Sequence, residues 1–279
     1  MAAIRRRTSS RSVGRRTAVG DADLRRELAT RGYAVVQLLD EQDVDALRSV
    51  LPDVGQAPGD TGDGLFNDTW ATDTAWKRDV GARLAAILGP RVGALLPGHR
   101  PLGFAHIVKW PGEAGAVVAH RDPTFVDERS FRSLMLWCPL EDVDVDEGAL
   151  WVVPGSHRDR TGVRVHQSAE NVVESLGCDP DGPATPLRLR AGEAVLYDHA
   201  LIHLSGPNHG DVPRVAVACP LVPTEAATRY AIPVSDAEAR VVEIDEDFFL
   251  DHRLCALDAD AVLRDYPAVA SVPRPTATG

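Results

Sequence analysis

The feature that most constrains the fold is a change of pattern near residue 102. From there on, short β-type runs recur, separated by glycine, proline and aspartate. Seven such runs cover residues 103–110, 117–120, 133–140, 150–153, 187–190, 194–197 and 214–222. Many short strands with turn residues between them are typical of a β-sandwich or barrel. The sequence therefore predicts a mainly β fold in this region.

The first hundred residues have a different pattern. Apolar residues at helical spacing predict helices over residues 21–30, 40–51 and 76–88, the last ending at Gly89-Pro90, and a strand over 33–39. Residues 1–20 carry six arginines and few apolar side chains, which predicts a disordered basic arm. We therefore expect one domain over residues 21–279, with N-terminal α-helices flanking the β structure.

Charge and the length of apolar runs narrow the classes of partner. Beyond the arm, 24 basic and 41 acidic residues leave a net charge of −17, which repels a phosphate backbone and argues against nucleic acid as a partner. Every apolar run is far shorter than the roughly 20 residues of a membrane helix, so no membrane partner is expected. Four cysteines without a CxxC pair indicate a reducing compartment, and we expect a cytoplasmic protein that acts on a small molecule. The pattern specifies no oligomeric state.

The strongest candidate for chemistry is the run His120-Arg121-Asp122. Alternate side chains of an extended chain point the same way, so the imidazole of His120 and the carboxylate of Asp122 can bind one metal ion. A third ligand has to come from elsewhere, and His203 lies between a predicted strand and a turn. Two histidines and one carboxylate on one face of an octahedral ion leave three positions open, as in non-haem Fe(II) oxygenases. His199 is the alternative third ligand.

Arg214 opens an apolar strand and predicts an anion site. The side chains alternate: Arg214, Ala216 and Ala218 face one way, and Val215, Val217 and Cys219 the other. A buried charge without a partner destabilises a protein by roughly 3–5 kcal/mol, and the planar guanidinium suits a carboxylate. The alternatives are an exposed arginine at a strand end and a salt bridge within the protein.

Three segments, in this order, resemble the phytanoyl-CoA dioxygenase family of Fe(II)/2-oxoglutarate-dependent oxygenases. They are His120-x-Asp122, the run from Gly148 to His157, and His203-x-Ser205-Gly206-x-Asn208, with Arg214 eleven residues after His203. The resemblance covers about residues 33–222. It implies a double-stranded β-helix, which is a jelly roll or cupin-like barrel, in agreement with the strand pattern.

The resemblance also implies roles for individual residues. The implied iron ligands are His120, Asp122 and His203. Arg214 and Ser205 would hold the distal carboxylate of 2-oxoglutarate, and Trp137 would line this cosubstrate. Neither Lys77 nor Lys109 aligns with an early lysine that some members use.

The implied reaction is an oxidation with O₂. Oxidative decarboxylation of 2-oxoglutarate to succinate and CO₂ would accompany hydroxylation of an unactivated C–H bond in a natural product or an amino-acid-like molecule. Related halogenases lack a carboxylate at the position of Asp122, so halogenation is disfavoured. Desaturation, epoxidation and ring formation stay open. The rival hypotheses are a cupin-type metalloenzyme that does not use 2-oxoglutarate and a non-catalytic jelly-roll binding protein.

Several other features have less specific interpretations. Residues 53–76, 123–131 and 158–185 are polar or rich in glycine and proline, and we expect them to cover the mouth of the barrel. Residues 66–70 either line a substrate pocket or fill space between helices and barrel. His157 is predicted to be structural, and His209 to lie in a loop.

Overall fold

The computed structural model describes residues 21–51, 64–160, 162–166, 173, 176–253 and 256–274. The arm predicted over residues 1–20 lies outside these ranges, as do residues 53–63 of the covering segment 53–76 and residues 161, 167–172 and 174–175 of the covering segment 158–185. The helices within them are α1 (Asp21–Arg31), α2 (Glu41–Val50), α3 (Thr74–Leu95), α4 (Phe248–Asp251) and α5 (Ala259–Asp265).

The described strands, in chain order, are β1 (Tyr33–Gln37), β2 (Leu65–Asn67), β3 (His99–Pro101), β4 (Ala105–Lys109), β5 (Val117–His120), β6 (Leu134–Pro139), β7 (Leu150–Val152), β8 (Thr185–Pro186), β9 (Glu193–Asp198), β10 (His203–Ser205), β11 (Arg214–Pro223), β12 (Arg229–Pro233), β13 (Glu238–Glu243) and β14 (Ala268–Pro273). They form three antiparallel sheets. The chain is therefore mainly β with flanking helices, as predicted.

Helix α2 begins at a capping box. The Asp40 carboxylate accepts a hydrogen bond from the N–H of Asp43 at 2.9 Å, and the Asp43 carboxylate accepts one from the N–H of Asp40. This reciprocal pair satisfies two N–H groups that a helix start otherwise leaves without partners. The helix then buries Val44, Leu47 and Val50 against the large sheet described below.

Helix α3 is longer than its predicted extent. The prediction that it ends at Gly89-Pro90 is wrong, because the helix continues through Pro90 to Leu95. Pro90 lacks an N–H and removes one hydrogen bond of the helix. The buried residues nevertheless continue across it at helical spacing, and Leu88 and Val92 both lie in the core. Packing against the sheet therefore outweighs the local preference of proline.

The largest sheet has seven strands in the order β1-β9-β6-β11-β4-β2, with β3 paired to the far end of β11. Alternate residues of β11 divide the two faces as predicted. Val215, Val217 and Cys219 pack in the core shared with the helices, whereas Ala216 and Ala218 face the interior between the sheets. This sheet is therefore buried on both faces.

The second sheet, β5-β10-β7-β8, closes the interior from the other side. The two sheets are the layers of a jelly roll, which confirms the predicted fold class. The strand predicted over residues 187–190 is wrong. Leu187 and Leu189 are buried there, but their N–H groups bond to Leu150 and Val143, so the segment joins two neighbours without forming a regular ladder.

The sequence pattern did not predict the third sheet, β12-β13-β14. Its aromatic side chains pack on the loop that follows the predicted metal-binding segment, and the Phe125 and Tyr230 rings are 6.0 Å apart. This packing brings Phe249 to the mouth of the barrel interior. Within the described ranges, no helix combines the length and the apolar character needed to cross a membrane.

Candidate functional site

Two imidazoles face each other across a pair of strands in the smaller sheet. Strand β10 pairs with β5 in antiparallel register, and this pairing puts His203 opposite His120. Their ring centroids are 4.2 Å apart. A register irregularity, of the kind called a β-bulge, separates the pairs His203–His120 and Ser205–Val117. Bulges of this kind are common beside active sites, where they redirect side chains.

Asp122 joins this pair just beyond the end of β5. Its N–H donates to the carbonyl of His199 at 3.0 Å, and the Arg164 guanidinium donates to its carbonyl at 2.7 Å. The backbone is therefore held on both sides of the residue. Its Oδ1 lies 3.9 Å from Nε2 of His120 and 3.8 Å from Nε2 of His203.

Hydrogen bonds behind the two rings select which nitrogen faces inward. Nδ1 of His120 lies 2.8 Å from the carbonyl oxygen of Val118, and Nδ1 of His203 lies 3.0 Å from that of Leu201. A carbonyl only accepts, so each Nδ1 carries the proton and each Nε2 presents a lone pair. Such a backbone partner is typical of metal-binding histidines.

Burial and neighbouring charge shift the pKa values of His203 and Asp122. Burial, and then the neighbouring His120, lower the pKa of His203 to about 4. Burial acts to raise the pKa of Asp122, but the nearby imidazoles, His203 foremost, outweigh it and lower that pKa. At neutral pH the cluster is thus a carboxylate and a neutral imidazole, the forms in which these groups bind metals.

The donor set fits a divalent metal ion. The three ligand atoms lie within 4.8 Å of one another, and Oδ2 of Asp122 is buried without a hydrogen-bond partner. Two nitrogens and one oxygen that converge from one side leave positions of an octahedral ion open toward the barrel interior. Among the described residues, this is the one cluster of at least three such ligands.

Arg214 lies in the same cavity and has free donors. Its side chain is buried, and Nε and Nη1 have no hydrogen-bond partner among the described residues. Burial lowers the pKa of Arg214 to about 10, partly offset by the Glu141 carboxylate. The guanidinium carbon lies 5.1 Å from the ring centroid of Trp137, so the indole borders the space that an anion on Arg214 would occupy.

Lys109 is the main residue that the sequence analysis left unassigned. It pairs in register with Arg214, and its Nζ donates to the Ser205 hydroxyl at 2.6 Å and to the carbonyl of Gly206. Burial and then the neighbouring Arg214 lower the pKa of Lys109 to about 7. These two basic side chains lie on paired residues, and together with the Ser205 hydroxyl they form a site suited to a carboxylate.

Two glycines make room for the stem of this lysine. A Cβ on Gly148 or on Gly115 would lie 2.9 Å from a Lys109 side-chain carbon. Gly148 also has φ of 71°, a conformation that other residues rarely adopt. Gly148 belongs to the run from Gly148 to His157 that resembles the family. The glycine of this motif therefore leaves the space that the Lys109 side chain occupies.

The remaining histidine candidates lie apart from the cluster. Nδ1 of His199 contacts the Ser133 hydroxyl at 2.8 Å, and its ring packs on Phe125. His157 is buried beside helix α1, with Nε2 3.3 Å from a carbonyl oxygen of that helix. His209 is exposed and paired with Glu113. The structure thus groups His203, rather than His199, with His120 and Asp122.

The segment 66–70 both fills space between the helices and the barrel and lines a pocket, the two roles left open by its sequence. Phe66 is fully buried in the core shared with the helices. Residues 67–70 line the cavity instead. Of the predicted covering segments, Pro123, Phe125 and His166 also line it.

Two further polar residues near the cluster were missed by sequence reasoning. The Tyr197 hydroxyl lies 3.4 Å from Nε2 of His203, and burial together with the charge of Asp122 raises its pKa. His166 lines the cavity, and burial lowers its pKa to about 4. Tyr197 follows the alternation of β9, which could have indicated that it points inward, whereas His166 follows no regular element.

The three candidate metal ligands line one cavity of about 1040 Å³ together with Ser205 and Arg214. It extends from the histidine–aspartate cluster and Arg214 to helix α3 and to the segment around Phe249. Its size is at the upper end of the range for small-molecule sites, roughly 300–1,000 Å³. The cavity can therefore hold a metal ion, a small diacid and a substantial organic molecule together.

Comparison with known proteins adds independent findings. A family model described as phytanoyl-CoA dioxygenase (PhyH) matches residues 29–216. "Phytanoyl-CoA dioxygenase domain-containing protein 1" of Mus musculus is 35% identical over 142 residues, which are 46% of this chain and 48% of that protein. The chain thus matches about half the length of this curated relative.

Solved structures share the fold at lower identity. The epimerase SnoN, solved with Fe³⁺, α-ketoglutarate and nogalamycin RO, has a TM-score of 0.55 and 23% identity, over 75% of this chain and 85% of that one. The non-haem α-ketoglutarate-dependent carbocyclase SnoK has a TM-score of 0.54 and 20% identity, over 74% and 85%. At this identity the likeness shows a common fold.

Proposed function

Because this chain belongs to the phytanoyl-CoA dioxygenase family, we propose that it is an Fe(II)- and 2-oxoglutarate-dependent oxygenase that hydroxylates a small organic molecule. The observation that carries the proposal is the convergence of His120, Asp122 and His203, whose ligand atoms lie within 4.8 Å of one another. The same cavity contains Arg214, whose Nε and Nη1 have no hydrogen-bond partner among the described residues. SnoN, which shares the fold, was solved with both Fe³⁺ and α-ketoglutarate, and this supports the same pair of cofactors here.

The three ligands would bind Fe(II) through Nε2 of each histidine and one carboxylate oxygen of Asp122. Bound iron with 2-oxoglutarate supplies O₂ activation, with succinate and CO₂ as products. The carbonyls behind the rings keep both Nε2 atoms aimed inward while the metal is exchanged. Asp122 fills the position that a halide would need, which favours hydroxylation over halogenation.

Arg214 would bind the distal carboxylate of 2-oxoglutarate through the donors that have no partner in the protein. The Ser205 hydroxyl and Lys109 would complete this subsite, with Trp137 along its wall. Two adjacent cations neutralise a carboxylate and keep the diacid in one orientation. The other end of 2-oxoglutarate is thereby directed toward the open side of the histidine–aspartate cluster.

Anaerobic titration tests the two parts of the proposal separately. We expect Fe(II) to bind with one-to-one stoichiometry, and 2-oxoglutarate to bind the Fe(II) form with a visible charge-transfer band. His203→Ala should abolish both signals, whereas His209→Ala, which removes an exposed imidazole, is the matched control. A protein that binds Fe(II) but not 2-oxoglutarate would favour the cupin-type alternative, and one that binds neither would favour a non-catalytic protein.

Hydroxylation is the finer part of the proposal. SnoN is an epimerase and SnoK a carbocyclase, so a shared fold is compatible with several outcomes of oxidation. Once a substrate is in hand, mass spectrometry of the product under ¹⁸O₂ tests this part. We expect one ¹⁸O atom in the product; a product that has lost two hydrogens and gained no oxygen would indicate desaturation or ring formation.

A further inference from the structure

The part of the cavity beyond the cofactor groups is mostly apolar. Its wall includes Trp70, Leu102, Phe104, Phe125, Met135 and Phe249. Aromatic and aliphatic side chains of this kind bind hydrocarbon surface and offer no partner to an anion. The inference below rests on the proposed function, because it concerns the substrate of the same site.

The arginines in this wall already have partners within the protein. The pairs are Arg78 with Asp247 at 3.0 Å, Arg100 with the Thr228 hydroxyl at 2.6 Å, and Arg121 with Asp159 at 3.0 Å. A phosphate or carboxylate on the substrate would have to compete with these oxygens. Lys77 also lines this part of the cavity, and its Nζ donates to the carbonyl of Phe249 at 3.4 Å. Apart from Arg214, each arginine and lysine that the structure describes in this wall thus already has a partner in the protein.

The sequence between the described ranges adds no positive charge. Residues 52–63, 161, 167–172, 174–175 and 254–255 contain five carboxylates and no lysine, arginine or histidine. Residues 21–279 as a whole carry a net charge of −17. This distribution repels polyanions such as a coenzyme A thioester. The carboxylate of an amino-acid-like substrate would likewise meet no free cation among the described residues of this wall.

Besides Asp122 and Arg214, two described residues that line the cavity each have a buried polar atom without a hydrogen-bond partner. One is Nε2 of His166, and the other is Oδ1 of Asp68. Oδ2 of Asp68 already accepts a hydrogen bond from the N–H of His106 and contacts its ring nitrogen. Both orphan atoms are buried, and a buried polar atom is normally satisfied by a partner.

The backbone that carries His166 is held firmly against the metal-binding segment. Thr124 and Arg164 exchange hydrogen bonds, with the N–H of each residue donating to the other. The Arg164 side chain donates to the Asp122 carbonyl at 2.7 Å and pairs with Glu128. His166 lies two residues after Arg164, which these hydrogen bonds hold in place, and its side chain lines the cavity.

We propose that the substrate is an uncharged, predominantly apolar molecule whose hydroxyl or carbonyl oxygen is bound by His166. The hydrogen bond would orient the hydrocarbon body in the apolar part of the cavity, with one C–H bond toward the metal cluster. Asp68 provides an acceptor for a second hydroxyl. His166 is thus a positioning residue for an oxygenated substrate, and the lack of a free cation in the surrounding wall favours a neutral substrate over a phosphorylated one.

A matched set of probes tests the charge preference. Binding of 5α-androstan-3β-ol, its 3-sulfate and dodecanoyl-CoA is measured anaerobically on protein loaded with Ni(II) and 2-oxoglutarate, at 50 and 500 mM NaCl. We expect the neutral alcohol to bind at least tenfold more tightly than the sulfate, with little dependence on salt. Failure of the alcohol to bind, or a preference for the sulfate or the thioester, would overturn the proposal.

A second measurement isolates the hydrogen bond to His166. We expect His166→Phe to weaken binding of the alcohol roughly three- to tenfold, the usual effect of one hydrogen bond, and to leave binding of the parent hydrocarbon 5α-androstane unchanged. His166→Gln, which keeps a donor and an acceptor, should restore most of the loss, and His209→Phe is the control. Equal losses for both ligands would mean that His166 only shapes the cavity.

The same samples separate this inference from the proposed function. Affinities for Ni(II) and for 2-oxoglutarate are measured first, and His166→Phe should leave both within about twofold. If the wild-type protein binds neither, the proposed function fails. If both bind normally but the charged probes are preferred, only the substrate inference fails.

Discussion

Two pockets of the site differ in how they are prepared for their ligands. The metal pocket is formed by His120, Asp122 and His203, and the cation pocket by Lys109 and Arg214. In the metal pocket, hydrogen bonds from the backbone orient the histidines and hold Asp122 in place. In the cation pocket, two like charges lie side by side, and Arg214 keeps donors without a partner. The metal pocket has its ligand atoms in position without the ion, whereas the positive charge of the cation pocket is fully offset only when an anion binds.

The largest effect should come from removing a metal ligand. We expect His120→Ala to reduce metal affinity by more than about a hundredfold, because even changes behind a ligand cost 10- to 100-fold. Turnover should be lost and the far-ultraviolet circular dichroism unchanged. Anaerobic calorimetry with Fe(II) measures the effect; unchanged affinity would remove His120 from the ligand set.

Arg214→Met should separate the two pockets. We expect it to weaken 2-oxoglutarate binding by roughly 2–5 kcal/mol, because a buried charge on the ligand loses its partner. Metal affinity should stay the same. Replacing an unpaired buried charge by an apolar side chain is also expected to stabilise the ligand-free protein, by about 1–4 kcal/mol. Calorimetry and urea unfolding measure the two effects, and a destabilised ligand-free variant would contradict the comparison.

Lys109 should couple the binding of 2-oxoglutarate to the uptake of a proton. Its pKa is about 7 without ligand, far below the ordinary 10.5, so at pH 8.5 the amine is mostly neutral. A bound carboxylate favours the charged amine, and binding should therefore take up as much as one proton at pH 8.5 and less below pH 7. Calorimetry in buffers of different ionisation enthalpy measures this uptake.

The matched variant is Lys109→Met, which should abolish the uptake and weaken 2-oxoglutarate binding by roughly 1.5–3 kcal/mol, the range for hydrogen bonds to charged groups. A binding enthalpy that is the same in every buffer for the wild-type protein would show that Lys109 keeps one protonation state.

The smallest effect is expected at Trp137. The Arg214 guanidinium lies over its ring, both side chains are buried, and such contacts contribute about 2 kcal/mol when desolvated. Because this contact is present both with and without the cosubstrate, Trp137→Leu should weaken 2-oxoglutarate binding only a few-fold and leave metal affinity intact. A loss as large as that of Arg214→Met would mean that the indole positions the guanidinium rather than only bordering it.

The sequence predicted the metal pocket better than the cation pocket. His120 and Asp122 are close in sequence, and alternation along an extended chain already orients them together. Arg214 stood out as a charge at the start of an apolar strand. Lys109 lies at the end of a strand that was predicted, but its proximity to Arg214 depends on which strands become neighbours, and strand order does not follow from local pattern.

Elements that depend on tertiary packing were the ones missed. Helix α3 continues through Pro90 because its buried stripe continues, although the local signal predicts an end. The sheet β12-β13-β14 was not predicted because its strands are short. Its burial comes from a cluster of aromatic side chains that are far apart in the sequence, such as Phe125, Tyr230 and Phe248. His166 lies in an irregular segment, where neither helical nor strand periodicity indicates which way a side chain points.

The register between β5 and β10 has a consequence for how the protein matures. His203 meets His120 only when two strands more than eighty residues apart have paired correctly, and a slip by one residue would turn one imidazole to the opposite face. The full ligand set therefore does not exist in a chain whose small sheet is unformed. Metal acquisition is expected to follow folding rather than to guide it, so adding excess iron during refolding should leave the refolding rate unchanged.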